Sequence, residues 1–212
     1  MVSLDIYLNE TTRHADVILP GLSPLENCHY DMAFAQLAVR NCARYSPAVF
    51  EKPEGAPYEW ETVLRLTGLL SGMGPNADTD ALDGMVIRNM IERESKLEQS
   101  VIHGRNTEEI VKALAPRRGP ERVLDLMLRT GPHGEGFGAN PDGLSLARLE
   151  AAPHGIDLGP LTPRMPDVLR TPSGKIELAP EIVVQDVPRL RERLSRNGNG
   201  FLLIGRRHLR SN

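Results

Sequence analysis

Two short runs, Val2-Ser3-Leu4-Asp5-Ile6-Tyr7-Leu8 and Asp16-Val17-Ile18-Leu19, decide the fold class. Both are rich in Val, Ile and Leu and bounded by polar turn residues, the pattern of strands buried in the parallel sheet of an α/β protein. Pro20-Gly21 ends the second run, because proline has no N–H with which to extend a ladder. Between the runs, Thr11-Thr12-Arg13-His14 predicts a short helical turn that Asn9 or Thr11 can cap.

Further along, Trp60, Val63, Leu64, Leu66, Leu69 and Leu70 recur at helical spacing, with Pro57 near the start and Gly72 as a stop, so a helix is expected over 57–72. Leu82, Met85, Val86, Ile87, Met90, Ile91 and Leu97 predict another over 80–98. A third is expected from Thr107 to Leu114, with Thr107 as N-cap and an acidic first turn, and a fourth from Pro120 to Leu128 with proline at its first position. Residues 131–174 are then punctuated by Gly and Pro, with one short helix over 143–150. That makes them a functional loop or a connection between domains. Beyond it, Lys175-Ile176-Glu177-Leu178 alternates like a strand, residues 186–195 form a basic helix or turn, and Phe201-Leu202-Leu203-Ile204-Gly205 is strand-like again. Strands at the extreme ends of a chain have few partners, so both ends read as cut from a longer polypeptide.

Composition narrows the class. With 40% hydrophobic and 25% charged residues the chain is ordinary for a globular protein, and with only 4% aromatics its core must be aliphatic. A net charge of -3 argues against a nucleic-acid or membrane-surface binder, which needs a basic excess. Cys28 and Cys42 lack C-x-x-C spacing and are too few for a disulfide framework; they read as reduced thiols of a cytoplasmic protein. No apolar run approaches the ~18 residues of a membrane span, and no signal-peptide pattern opens the chain.

Most candidate chemistry is weak. Gly131-Pro132-His133-Gly134-Glu135-Gly136-Phe137-Gly138 invites comparison with a phosphate-binding loop. It lacks the Lys-Ser/Thr pair and the strand-to-helix setting, so it reads as a flexible loop. The six histidines show no metal-ligand spacing, and no G-x-S-x-G elbow supports a nucleophile. Asp5 is different: it sits within an apolar strand, with Asn9 just beyond, at the end where α/β sheets bind ligands. A carboxylate there can accept two hydrogen bonds from a purine or ribose edge; the competing reading is an edge-strand aspartate facing water beside an asparagine cap. At the far end, Gly205, Arg206, His208 and Arg210 lie directly behind a strand-like run. Arginine forks bind phosphate bidentately and glycine lets backbone approach a ligand, while a solvated basic loop is the alternative.

Three of these segments together resemble the molybdopterin oxidoreductases, the superfamily of formate dehydrogenases, nitrate reductases and dimethyl sulfoxide reductases. Residues 5–20 resemble a strand–turn–strand in which Thr-Ala-x-x-Ala-Asp-x-x-Leu-Pro follows an aspartate-bearing strand. Thr171-Pro172-Ser173-Gly174-Lys175-Ile176-Glu177-Leu178 is similar to the segment leading into the family's C-terminal dinucleotide-binding domain, and residues 203–212 to that domain's first strand and cofactor turn. The chain departs from the family after Leu-Pro. Glu26 is followed by Asn-Cys-His-Tyr-Asp-Met, and no Gly-Arg appears before Pro47, which leaves subgroup and substrate undefined.

The resemblance implies a bis-(molybdopterin guanine dinucleotide) cofactor carrying molybdenum or tungsten, with Asp5 and Asn9 at one guanosine end and Arg206, His208 and Arg210, beside Gly205, in the turn contacting dinucleotide and pterin. An iron–sulfur cluster and the metal-ligating residue belong upstream in the family, so no catalytic or metal-ligating residue is expected here. The implied fold is α/β in three parts. Residues 1–50 end a Rossmann-like sheet domain, 51–165 are a helical segment with a Gly/Pro-rich connection, and 166–212 begin a truncated, β-rich dinucleotide-cofactor-binding domain. Expected partners are the rest of the same polypeptide, a small-molecule substrate and, as a candidate, an electron-transfer protein; neither nucleic acid nor a membrane span is expected. The competing reading is a stand-alone α/β nucleotide-binding or assembly module without catalysis.

Overall fold

β1 (Val2–Leu4) and β2 (Val17–Leu19) pair in parallel, Val2 opposite Val17 and Leu4 opposite Leu19. β1 is shorter than its apolar run. Asp5 N–H still donates to the Leu19 carbonyl at 3.2 Å, but the Asp5 carboxylate takes the Tyr7 N–H, also at 3.2 Å, and turns the chain out of the ladder. A one-turn 3-10 helix, Thr12–His14, occupies the predicted position between the strands. Val2, Leu4 and Val17 are exposed. The chain is described at residues 1–196, 200–201 and 203–205 of a computed structural model, and it divides into two units, Met1–Leu161 and Thr162–Asn212.

In the first unit β3 (His29–Tyr30), β4 (Arg40–Ala43) and β5 (Tyr45–Ser46) follow, with β3 and β5 antiparallel. The helices then come largely where periodicity predicts them. α1 (Glu59–Leu70) opens with the Glu61 carboxylate accepting the Tyr58 N–H at 2.9 Å. α2 (Thr79–Glu94) is capped by Asp78, which accepts from the N–H groups of Asp80 and Ala81, and α3 (Thr107–Ala113) by Asn106 in the same way. α4 (Gly119–Thr130) carries Pro120 in its first turn, where the missing N–H costs nothing. α5 (Leu146–Glu150) starts at Ser145, and β6 (Ile156–Pro160) returns antiparallel to β4 with a register shift between Asn41 and Cys42.

α4 organises the core because its two flanks bury different clusters. Leu124 and Leu128, one turn apart, pack with Ala43, Tyr45, Leu144, Leu146 and Leu149. Leu126, on the other side, packs with Ile87, Ile91, Ile102, Ile110 and Leu114. Each leucine or isoleucine among them taken fully out of water contributes about 1.5–3 kcal/mol. The first cluster also draws Ala43 and Tyr45 into the helical part, so the boundary expected near residue 50 does not divide this unit. The architecture is mixed α/β, with small separate sheets.

The second unit departs from expectation. Lys175-Ile176-Glu177-Leu178 forms no strand: the Thr171 carbonyl accepts the Gly174 N–H at 3.0 Å and its hydroxyl donates to the Lys175 carbonyl at 2.7 Å, while Gly174 takes φ +63°. With the Lys175 carbonyl spent locally and no partner strand among the described residues, the alternation has no ladder to join. Phe201, Leu203, Ile204 and Gly205 are likewise outside any strand. Among its described residues the regular structure is helical, α6 (Glu181–Val184) and α7 (Val187–Ser195), the latter over the stretch read as a basic helix or turn. Among the described residues, no helix is long and apolar enough to cross a membrane.

Candidate functional site

Asp5 and Asn9 are brought together where β1 ends. Asn9 Nδ2 donates to Asp5 Oδ2 at 2.9 Å, and Asp5 Oδ1 accepts the Tyr7 N–H. Asn9 Oδ1 in turn accepts the N–H groups of Thr11 and Thr12 at 2.9 and 3.0 Å, capping the 3-10 turn as its position suggested. The Tyr7 N–H first, and Asn9 second, hold the Asp5 carboxyl below its ordinary pKa, so it stands ionised as an acceptor. Thr12, 1% exposed, sits beneath this turn; sequence reasoning had seen it only as one residue of a helical turn.

Of the other half of the predicted site, only Gly205 is among the described residues. Gly205 lies exposed in the second unit without regular structure, and Arg206, His208 and Arg210 lie outside the described residues.

The glycine-rich loop is tightly built where a flexible one was expected. Glu135 Oε2 accepts the Gly138 N–H at 2.9 Å, and the same carboxylate pairs with the Arg129 guanidinium. Burial works against the Glu135 charge, but the Gly138 N–H and Arg129 outweigh it and hold the pKa below the ordinary value. A protein carboxylate thus takes the backbone donor that a phosphate loop would offer its ligand. Phe137, at φ 52°, carries the Arg129 guanidinium 4.2 Å from its ring centroid, which further pins the loop to α4.

A second feature was missed in the sequence: a cleft of about 1290 Å³ in the first unit, between the segment around Cys28 and Tyr45 and the start of α4. On its wall the Tyr45 hydroxyl donates to Glu121, and Arg117 makes two hydrogen bonds to Glu150, at 2.9 and 2.7 Å. Burial foremost, then Glu121 and Cys28, push the Tyr45 phenol far up, so it remains a protonated donor. The hydrogen bond from Arg117 lowers the Glu150 pKa. Spacing gave no signal for this site, because its residues are 76 and 33 positions apart.

Among the described residues, no group of three or more His, Cys, Asp or Glu side chains is arranged to hold a metal ion. Cys28 is half-buried and Cys42 exposed, both as free thiols. No known protein family, characterised protein or solved structure significantly matches this chain.

Proposed function

We propose that this chain is one portion of a molybdopterin guanine dinucleotide-dependent oxidoreductase, formate dehydrogenase-like or related, and that it contributes cofactor-binding surface without the metal-ligating residue. The observation that carries this reading is the Asp5 carboxylate, ionised and partly exposed at the carboxyl end of a parallel strand pair. The donor set of guanine fits it. Each Asp5 oxygen accepts one hydrogen bond within the chain, and an ionised carboxylate offers roughly four acceptor positions. Two therefore remain for the N1–H and exocyclic amine of guanine; adenine presents an acceptor at N1 and cannot reciprocate. When bound, the cofactor would supply two-electron redox chemistry at molybdenum or tungsten. Asp5 and Asn9 would hold one guanosine end, and Arg206, His208 and Arg210, by the sequence resemblance, would form the turn contacting the dinucleotide and pterin.

The natural full-length protein, purified from its native source, should contain molybdenum or tungsten together with guanine released on hydrolysis. Asp5→Ala should reduce that content, since a buried base edge left unpaired costs about 1–3 kcal/mol. A protein free of both metal and guanine would instead fit a stand-alone nucleotide-binding or assembly module.

A further inference from the structure

Thr12 is the most buried polar side chain of the first unit's N-terminal segment, and its hydroxyl is used twice. It accepts the Asn9 N–H at 2.7 Å and donates to the Tyr7 carbonyl at 2.9 Å. The Thr12 N–H also returns to Asn9 Oδ1, so residues 9 and 12 hold each other through backbone and side chain alike. Asn9 then passes that constraint to Asp5 through its Nδ2. Without the hydroxyl, the Asn9 N–H and the Tyr7 carbonyl would lose these partners.

Resting on the cofactor reading, we infer that Thr12 is a positioning residue: its buried hydroxyl locks Asn9, and Asn9 presets the Asp5 carboxylate for the donor edge of a guanine. The physical reason is order. An aspartate on a free turn samples several rotamers, and fixing it on binding costs conformational entropy. Here the chain of hydrogen bonds from Tyr7 through Thr12 and Asn9 fixes it beforehand, a gain of preorganisation rather than of contacts. Thr12 itself, at 1% exposure, touches no ligand.

The test uses the 212-residue chain with carboxyl carbons labelled, following Asp5 by NMR titration and probing the site with GDP and ADP. Thr12→Val keeps the shape and removes the hydroxyl. It should raise the Asp5 titration midpoint toward the ordinary aspartate range and weaken GDP binding about two- to tenfold, the worth of one net hydrogen bond, without strengthening ADP. Thr12→Ser, which keeps the hydroxyl, should titrate and bind as the wild type. Asn9→Ala, which removes the intermediate link, should shift Asp5 in the same direction as Thr12→Val. A shifted Asp5 in a chain that binds no GDP even as wild type would leave the Thr12 lock standing and sink the guanine reading. An Asp5 that titrates identically in the wild type and Thr12→Val, or a Thr12→Ser that behaves like Thr12→Val, would overturn the inference.

Discussion

Asp83 on α2 and Arg122 on α4 form a buried ion pair, Oδ2 to Nη2 at 2.5 Å, with side chains only 5% and 13% exposed. The same carboxylate oxygen accepts the Gly119 N–H at 3.0 Å, so one aspartate ties α2 to both the start and the first turn of α4. Asp83→Ala strands the Arg122 charge, whose Nε already lacks a partner, and leaves the Gly119 N–H unmet. Breaking a buried pair by removing one member should cost about 3–5 kcal/mol in chemical denaturation. The double replacement Asp83→Leu with Arg122→Met should cost clearly less, because it leaves no buried charge behind. A double variant as unstable as Asp83→Ala would contradict this account.

Gly134 tests the status of the glycine-rich loop. A Cβ there would sit 2.3 Å from the Arg129 carbonyl and 2.5 Å from that of Leu128, both backbone atoms of α4. Gly134→Ala should therefore destabilise the protein by about 1–3 kcal/mol or more. A loop free to move would absorb the methyl, so an unchanged melting temperature would show that the packing described here does not hold.

Two glutamates set an acid limit. Glu135 and Glu150 both lie below their ordinary value of 4.5 in the folded chain, Glu135 against its own burial through Gly138 and Arg129, Glu150 through Arg117. A depressed folded pKa contributes stability that is complete above the unfolded value and lost as pH falls through the folded one. Unfolding free energy should thus stay level in this respect above about pH 5 and decline below 4.5. Glu150→Gln should flatten part of that decline. An identical acid profile in the variant would remove Glu150 from the explanation.

Arg206 carries a prediction from its chemistry alone. Between Asp186 and the C-terminus the only acid is Glu192, which leaves the four cationic groups of residues 205–212 short of local partners and suits an anionic ligand. Arg206→Lys keeps the charge but loses the bidentate fork. On the proposed cofactor reading it should lower cofactor loading, and Arg206→Ala should lower it further. Full loading in both variants would assign this turn to a solvated loop.

Much of the local structure was legible in the sequence. The helices from α1 to α4 follow from leucine and isoleucine spacing, and the start of α4 from Pro120, because helix hydrogen bonds close within four residues, whereas the caps Asp78 and Asn106 emerge only in the structure, Asn106 standing one residue before the Thr107 expected to cap α3. The strand–turn–strand at residues 2–19 was legible for the same reason, down to Asn9 as a cap. The strand expected at 175–178 failed because alternation states only which face a strand would bury, and a ladder needs a partner.

What the amino-acid sequence determined by itself is this set of local elements, the mixed α/β class and the candidacy of Asp5 and Asn9, all carried by interactions between near neighbours in the chain. Tertiary structure alone decided which residues share a core or a site. β4 meets β6 across 117 positions, where Arg40 clasps Asp157; Tyr45 meets Glu121; and Asp83 is buried against Arg122. Neither period nor composition encodes those pairings, because burial and charge pairing depend on which distant segments exclude water together. The Thr12 hydroxyl shows the same limit at short range: its neighbours are close in sequence, and only the fold puts it in the dry interior that makes its two hydrogen bonds count.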